Sequence, residues 1–136
     1  MIKKFRLWDN ITGWVVFAVA ALTYLLTIEP TMSLWDCSEF IASAYKLEVG
    51  HPPGAPFFMI LGRFFANFAG GDTSKVAMMI NAMSGLASAL TILFLFWTIT
   101  HLARRIFLRQ ESDYSAGRII AVLGAGVTGA LAYTFS

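Results

Sequence analysis

Charge is what this sequence has least of. Only 13% of its 136 residues are charged, against roughly 25% in a soluble globular domain, while 57% are hydrophobic. A chain so poor in charge belongs to the membrane class. Cysteine is almost missing: the single Cys37 excludes an intrachain disulfide and says nothing of redox compartment. The net charge of +2 is small, and the basic residues are not interleaved with stacking aromatics on one face, so no nucleic-acid partner is expected. Metal signatures, phosphate-cradling glycine loops and nucleophile elbows are absent, and neither a metal nor a cofactor is expected. Gly124 and its neighbours form no dinucleotide fingerprint; inside an apolar stretch, helix packing is the simpler reason for them.

What is present is apolar length. Aromatics make up 15% of the chain, mostly Phe, as lipid contact and interfacial anchoring require. Lys3-Lys4-Phe5-Arg6 followed by an apolar run looks at first like a signal peptide. The run is too long, and Thr27-Ile28-Glu29-Pro30 lacks a small-x-small cleavage site, so a retained signal anchor is expected. The first span is placed at 11–28, where about 18 residues reach roughly 27 Å. Trp8, Trp14 and Tyr24 sit near its ends, and Pro30 ends the helix. A second span is placed at 76–103. Its first half is rich in small residues that admit a neighbouring helix, and its bulky second half, Ile92 to Ile99, is expected to face lipid. A third is placed at 118–136, with glycines at 124, 126 and 129 for helix contact. The chain stops without a polar tail and is expected to be the N-terminal part of a larger multi-span protein; the alternative is a small three-span protein.

Basic residues set the topology. Lys3, Lys4 and Arg6 precede the first span, and Arg104, Arg105, Arg109 and Arg118 lie between the second and third. The long loop 29–75 holds only Lys46, Arg63 and Lys75. The positive-inside rule puts the N-terminus in the cytoplasm and the loop outside, which is periplasm for a bacterial inner membrane.

That loop is patterned. Leu34, Cys37, Phe40, Ile41, Ala44 and Leu47 have the spacing of an amphipathic helix, and Phe57, Ile60, Leu61, Phe64, Phe65 and Phe68 make one broad face of a second. Both are too short to span and are expected to lie in the interface, with Pro52, Pro53 and Pro56 breaking the chain between them.

The loop also gathers the ionisable residues, which are costly to hold at a bilayer surface and invite a functional explanation. Asp36 and Glu39 are three apart and share a helix face. Functionally, Asp36 is a general base or a ligand with Glu39 in support; structurally, Asp at N-cap and Glu at N3 make a capping box, and Ser33 offers a second possible cap. His51 is either a donor to a phosphate or sugar hydroxyl or a turn histidine ahead of two prolines. Arg63 either snorkels or pairs with a lipid phosphate. Arg104, Arg105 and Arg109 are topology determinants.

W-D-C-S-E-F-I-A-S-A-Y at 35–45, L-E-V-G-H-P-P-G-A-P at 47–56, L-G-R-F-F at 61–65 and V-A-M-M-I-N-A-M-S at 76–84 resemble a family of bacterial membrane proteins long known only as a domain of unknown function. That family is similar to protein O-mannosyltransferases of the GT-C class. The resemblance covers Pro30 to about Ala103, and the pairing of D-x-x-E with H-P-P-G-x-P makes it specific. It implies an all-α, multi-span GT-C-like domain with juxtamembrane helices in the first external loop. It also implies a polyprenyl-phosphate sugar donor, mannose among the sugars, an exported protein acceptor and an enzyme of the bacterial inner membrane. Asp36 and Glu39 match the acidic positions, and His51 and Arg63 are carried over as substrate-binding residues. The competing hypothesis is a non-enzymatic assembly or lipid-headgroup-binding module in which the same residues are caps and turn formers. A cavity shared by Asp36 and His51 would favour the enzyme. A transporter is a weaker third, since no charge falls inside the expected spans.

Overall fold

The computed structural model describes residues 2–52 and 54–136. Pro53, one of the expected loop breakers, and the side chain of Glu111 lie outside the described residues. Every regular element among the described residues is helical: α1 (Ile2–Leu26), α2 (Cys37–Lys46), α3 (Pro56–Ala66), α4 (Val76–Phe107) and α5 (Ala116–Thr134), with short 3-10 turns between them. Three helical stretches are long and apolar enough to cross a membrane: Ile2–Leu26, Thr73–Phe107 and Ala116–Thr134. The chain divides into two compact units, Met1–Thr23 with Ser88–Ser136, and Tyr24–Ala87.

In the first unit the spans extend beyond their apolar runs. α1 begins at Ile2 rather than near Ile11, because Phe5, 2% exposed, is buried with Leu108, Tyr114 and Val122. Its ring meets Tyr114 edge-on at 6.1 Å. α4 has 32 residues, about 48 Å of helix at 1.5 Å per residue, longer than a roughly 30 Å hydrocarbon core. Its bulky half does not simply face lipid: Ile92, Leu93 and Phe96 are at most 1% exposed, although Phe94 is open. Glycines make the difference. A Cβ on Gly126 of α5 would stand 2.6 Å from Thr100 and 2.9 Å from the Phe96 ring, and one on Gly13 of α1 would stand 2.7 Å from Trp97 Nε1. Gly129 likewise lies against Ile99, whereas Gly124 has open space beside it. Two of the three glycines therefore make the helix contact expected of them.

In the second unit α1 ends at Leu26, and the chain after it is tied to α4. Asn81 Nδ2 donates to the carbonyls of Glu29 and Thr31 at 2.9 and 3.0 Å, and the Glu29 carboxylate accepts from Thr31 N and Oγ1. These carbonyls lie in the coil beyond the end of α1, where no regular structure pairs them, and the amide of Asn81 supplies their partners.

Both loop helices form, shorter than expected. α2 starts at Cys37, not Leu34, because Trp35 takes a positive φ of 71°, a conformation no helix continues. It closes in a left-handed Leu47, with Leu47 N–H donating to Ala44 O and Glu48 N–H to Ser43 O, the paired bonds of a Schellman end. Pro56 opens α3 at a position where its missing N–H costs nothing. The expected broad face of α3 is split. Phe57, Ile60, Phe64 and Phe68 point outward, 57–75% exposed, while Met59, Gly62 and Ala66 are buried. An exposed stripe of that kind suits a helix lying along the headgroup boundary.

α2 and α3 meet in three places: Phe40 with Phe58 edge-on at 5.5 Å, Ala44 with Gly62, and Tyr45 with Arg63. The offset is the same in each (58 − 40, 62 − 44 and 63 − 45 are all 18). A constant difference means that the two helices lie side by side in the same direction. The linker between them therefore returns along α2.

A Cβ on Gly62 would stand 2.8 Å from the fully buried Cβ of Ala44, which cannot swing away. Gly62→Ala should gain up to about 1 kcal/mol of helix propensity and lose about 1–3 kcal/mol to overpacking. The expected result is a lower thermal unfolding midpoint in detergent; an unchanged or raised midpoint would show that the contact is slack.

Candidate functional site

The returning linker carries His51 past the first turn of α2, and Glu39 catches it there. Glu39 Oε1 accepts the backbone N–H of His51 at 2.8 Å, and Oε2 lies 2.8 Å from His51 Nδ1. Gly50 makes this possible: a Cβ there would stand 3.2 Å from Glu39 Oε1. The Gly54 N–H donates to His51 O at 2.9 Å, closing a turn over Pro52, with Gly54 itself at φ 69°. Phe40 supports the imidazole edge-on at 6.2 Å.

The capping box is not formed. Asp36 occupies the N-cap position of α2 with no side-chain cap bond, and Glu39, at N3, has turned to His51 instead of the helix N-terminus. Ser33 precedes the Trp35 break, so it does not cap α2. Asp36 is exposed and close enough for its charge to act on His51. With Nδ1 engaged by Glu39, the hydrogen-bonding capacity of the ring that remains is at Nε2.

Arg63 stands at the other end of α2. Its Nη1 donates to Tyr45 O at 2.5 Å, and its guanidinium lies 5.1 Å from the Tyr45 ring centroid. There it satisfies a C-terminal carbonyl and complements the helix dipole. The structure thus brings Asp36, Glu39 and His51 together and holds Arg63 apart, about 13 Å along a helix of this rise. Gly50 and Tyr45 stand inside the motifs at 47–56 and 35–45, but their spacing gave them no role; the closeness of Gly50 to Glu39 and the pairing of Arg63 with the Tyr45 carbonyl appear only in the fold. No three His, Cys, Asp or Glu side chains are gathered to hold a metal among the described residues.

The cleft between Glu39, Phe40, Gly50, His51, Gly54 and Met59 is about 10 Å³. That is room for about one water, far below the roughly 300–1,000 Å³ of a small-molecule site. His51 lines it and Asp36 stands outside, so the shared cavity that would favour an enzyme is not closed by these residues.

Electrostatics follow the contacts. The His51 backbone N–H, and then its imidazole, hold Glu39 below the usual carboxylate range. Glu39, first by hydrogen bond and then by charge, raises His51, and Asp36 adds to the effect. A raised imidazole pKa stabilises the folded loop below histidine's ordinary value, and this is lost as pH rises through the raised one. A lowered carboxylate pKa stabilises it above the ordinary carboxylate value, and this is lost as pH falls through the lowered one. The charged latch is complete between those two limits.

Residues 36–136, beginning at Asp36 itself, match the family model described as Protein O-mannosyl-transferase TMEM260 N-terminal domain. The chain belongs to this family. Among curated relatives, "Protein O-mannosyl-transferase tmem260" of Dictyostelium discoideum is 32% identical over 85 residues, which is 62% of this chain and 10% of the relative. "Protein O-mannosyl-transferase TMEM260" of Mus musculus is 35% identical over 88 residues, 65% of this chain and 12% of the relative. The chain spans about a tenth of the length of these relatives. No solved structure matches it.

These relatives correct two expectations. Those named by the TMEM260 match are eukaryotic, not a bacterial GT-C family, and the bacterial inner-membrane placement with its periplasmic loop falls with it. Residue types and spacing at a membrane surface carry no mark of the kind of cell, so the sequence alone did not separate the two. The multi-pass membrane character stands on the three spans, and the match supports a glycosyltransferase-like role.

His51 is one of two histidines. Followed by NMR, its imidazole should titrate above the ordinary value of about 6.5 and fall back toward it in Glu39→Gln. A wild-type midpoint at or below that value would contradict the latch.

Proposed function

We propose that this chain forms the first part of a membrane-embedded protein O-glycosyltransferase of GT-C type. It moves a sugar, mannose by the names of its relatives, from a polyprenyl-phosphate donor to a hydroxyl of an exported protein. The observation that carries the proposal is the Glu39 carboxylate holding both the backbone and the ring of His51, beside an uncapped, exposed Asp36, in the loop between two spans. The rest of the substrate pocket is assigned to parts of the protein beyond these residues, in keeping with the small cleft.

In this mechanism Asp36 takes the proton from the acceptor hydroxyl as the new bond to the anomeric carbon forms. The bond from that carbon to the phosphate oxygen breaks with its electron pair, and the polyprenyl phosphate leaves. His51, protonated and held at Nδ1, presents Nε2–H to the developing phosphate charge. Glu39 is a positioning residue that keeps the ring cationic and aimed. Arg63, committed to Tyr45, supports the helix that carries Asp36. An interfacial site leaves the lipid tail in the bilayer while the protein acceptor arrives from water.

Asp36→Asn in the full-length protein should lower transfer by about 10²–10⁴-fold at unchanged membrane level, because Asp36 contributes no cap bond to lose. Transfer at the wild-type rate would remove Asp36 from the mechanism. Equal indifference to Asp36→Asn and His51→Gln would favour a non-enzymatic module.

A further inference from the structure

At the basic end of α1 and α4 lies a second cluster of ionisable groups that the proposed transfer does not use. Arg6, Asp9 and Asn10 of α1 face Trp97, His101 and Arg104 of α4 across a cavity of about 420 Å³, all within the unit Met1–Thr23 with Ser88–Ser136. Asp9 and Arg6 fall inside a membrane-crossing helix, because α1 starts at Ile2. A part-buried ionisable side chain at the edge of the apolar core is costly unless it is partnered.

The Asp9 carboxyl has the Thr100 side chain as a hydrogen-bonding neighbour, with Arg104 and His101 nearby, yet its Oδ1 is buried with no donor, as is Trp97 Nε1 without an acceptor. Orphaned polar atoms of this kind are uncommon in folded proteins and call for an unseen partner. The cavity offers both signs of charge. Two guanidiniums suit a phosphate, which Arg recognises by paired hydrogen bonds. The carboxylate would repel a phosphate alone, but it accepts hydrogen bonds from a primary ammonium.

Depth narrows the source. Asp9 precedes the apolar run that starts at Ile11, and Arg104 follows the one that ends at Ala103. Both therefore fall at the level where headgroups meet the hydrocarbon, with the Trp97 indole as an interfacial wall. Basic pockets between spans on the basic side of a membrane are suited to phospholipid headgroups.

We propose that this cavity binds the headgroup of an aminophospholipid, with its phosphate on Arg6 and Arg104 and its primary ammonium on the Asp9 carboxylate. A choline headgroup has no N–H to give Asp9, and a glycerol headgroup has no positive charge. The site is independent of the transfer chemistry, and its test does not require activity.

The full-length protein, reconstituted in nanodiscs containing equal amounts of phosphatidylethanolamine, phosphatidylcholine and phosphatidylglycerol, would be released and its retained lipids counted by native mass spectrometry. Phosphatidylethanolamine should be retained roughly tenfold over the other two, as one charge-assisted hydrogen bond allows. Asp9→Asn should erase the preference, Asp9→Glu should keep it, and Arg104→Gln should lower retention of all three. Equal retention by the wild type would overturn the proposal whether or not the variants fold, and so would a preference that survives in Asp9→Asn. Displacement of the retained lipid by millimolar inorganic phosphate would show a free-phosphate site and overturn the lipid assignment.

Discussion

Everything in the loop unit depends on two consecutive helices lying parallel. Antiparallel neighbours need only a short turn, but parallel ones oblige the chain to travel back the length of the first before starting the second. Ala44 against Gly62 sets the distance between α2 and α3, and Phe40 with Phe58 sets their register. Once those contacts exist, the linker has to return along α2, and His51 is delivered to Glu39 as a consequence. The same arrangement brings Arg63 to Tyr45 at the far end. A pair of helices joined in the opposite sense would have left both partners unmatched.

The Glu39–His51 contact is not there chiefly for stability. Its side chains are 42% and 50% exposed, and exposed ion pairs contribute little. Its value is positional. One carboxylate holds a main-chain N–H and a ring nitrogen of the same residue, so the peptide and the imidazole are fixed together. Glu39 gives up the capping role open to it at N3, and Asp36 is left at the N-cap without a cap bond. The helix start is thereby less well satisfied than its sequence permits, and the acid that opens it is free for other use.

Much of the fold was legible in the sequence because it rests on local composition. Three spans, two short loop helices and a break at the prolines all follow from apolar length and periodicity. Boundaries were less so. The true start of α1 depends on Phe5 packing with residues more than a hundred positions away, and the late start of α2 depends on the backbone of Trp35. The burial of Phe96 depends on Gly126 being too small to exclude it. Within the candidate site, residue types and spacing pointed to Asp36, Glu39 and His51, but spacing alone could not say that Glu39 would choose His51 over the helix N-terminus. Asp9 lies just outside the apolar run, and only the early start of α1 at Ile2 sets it across a cavity from Trp97, His101 and Arg104.

Asn81 has a wider consequence. By bonding to the carbonyls of Glu29 and Thr31, 52 and 50 residues away along the chain, it stitches the two ends of the loop together at their base. Whatever lies between them is then a cassette on a closed hinge. Lengthening such a segment costs only about 0.6 kcal/mol for each doubling, so insertions within it need not move the two helix ends it joins. The residues between Thr31 and Asn81 can therefore lengthen or change while the chain ends that Asn81 ties together keep their places.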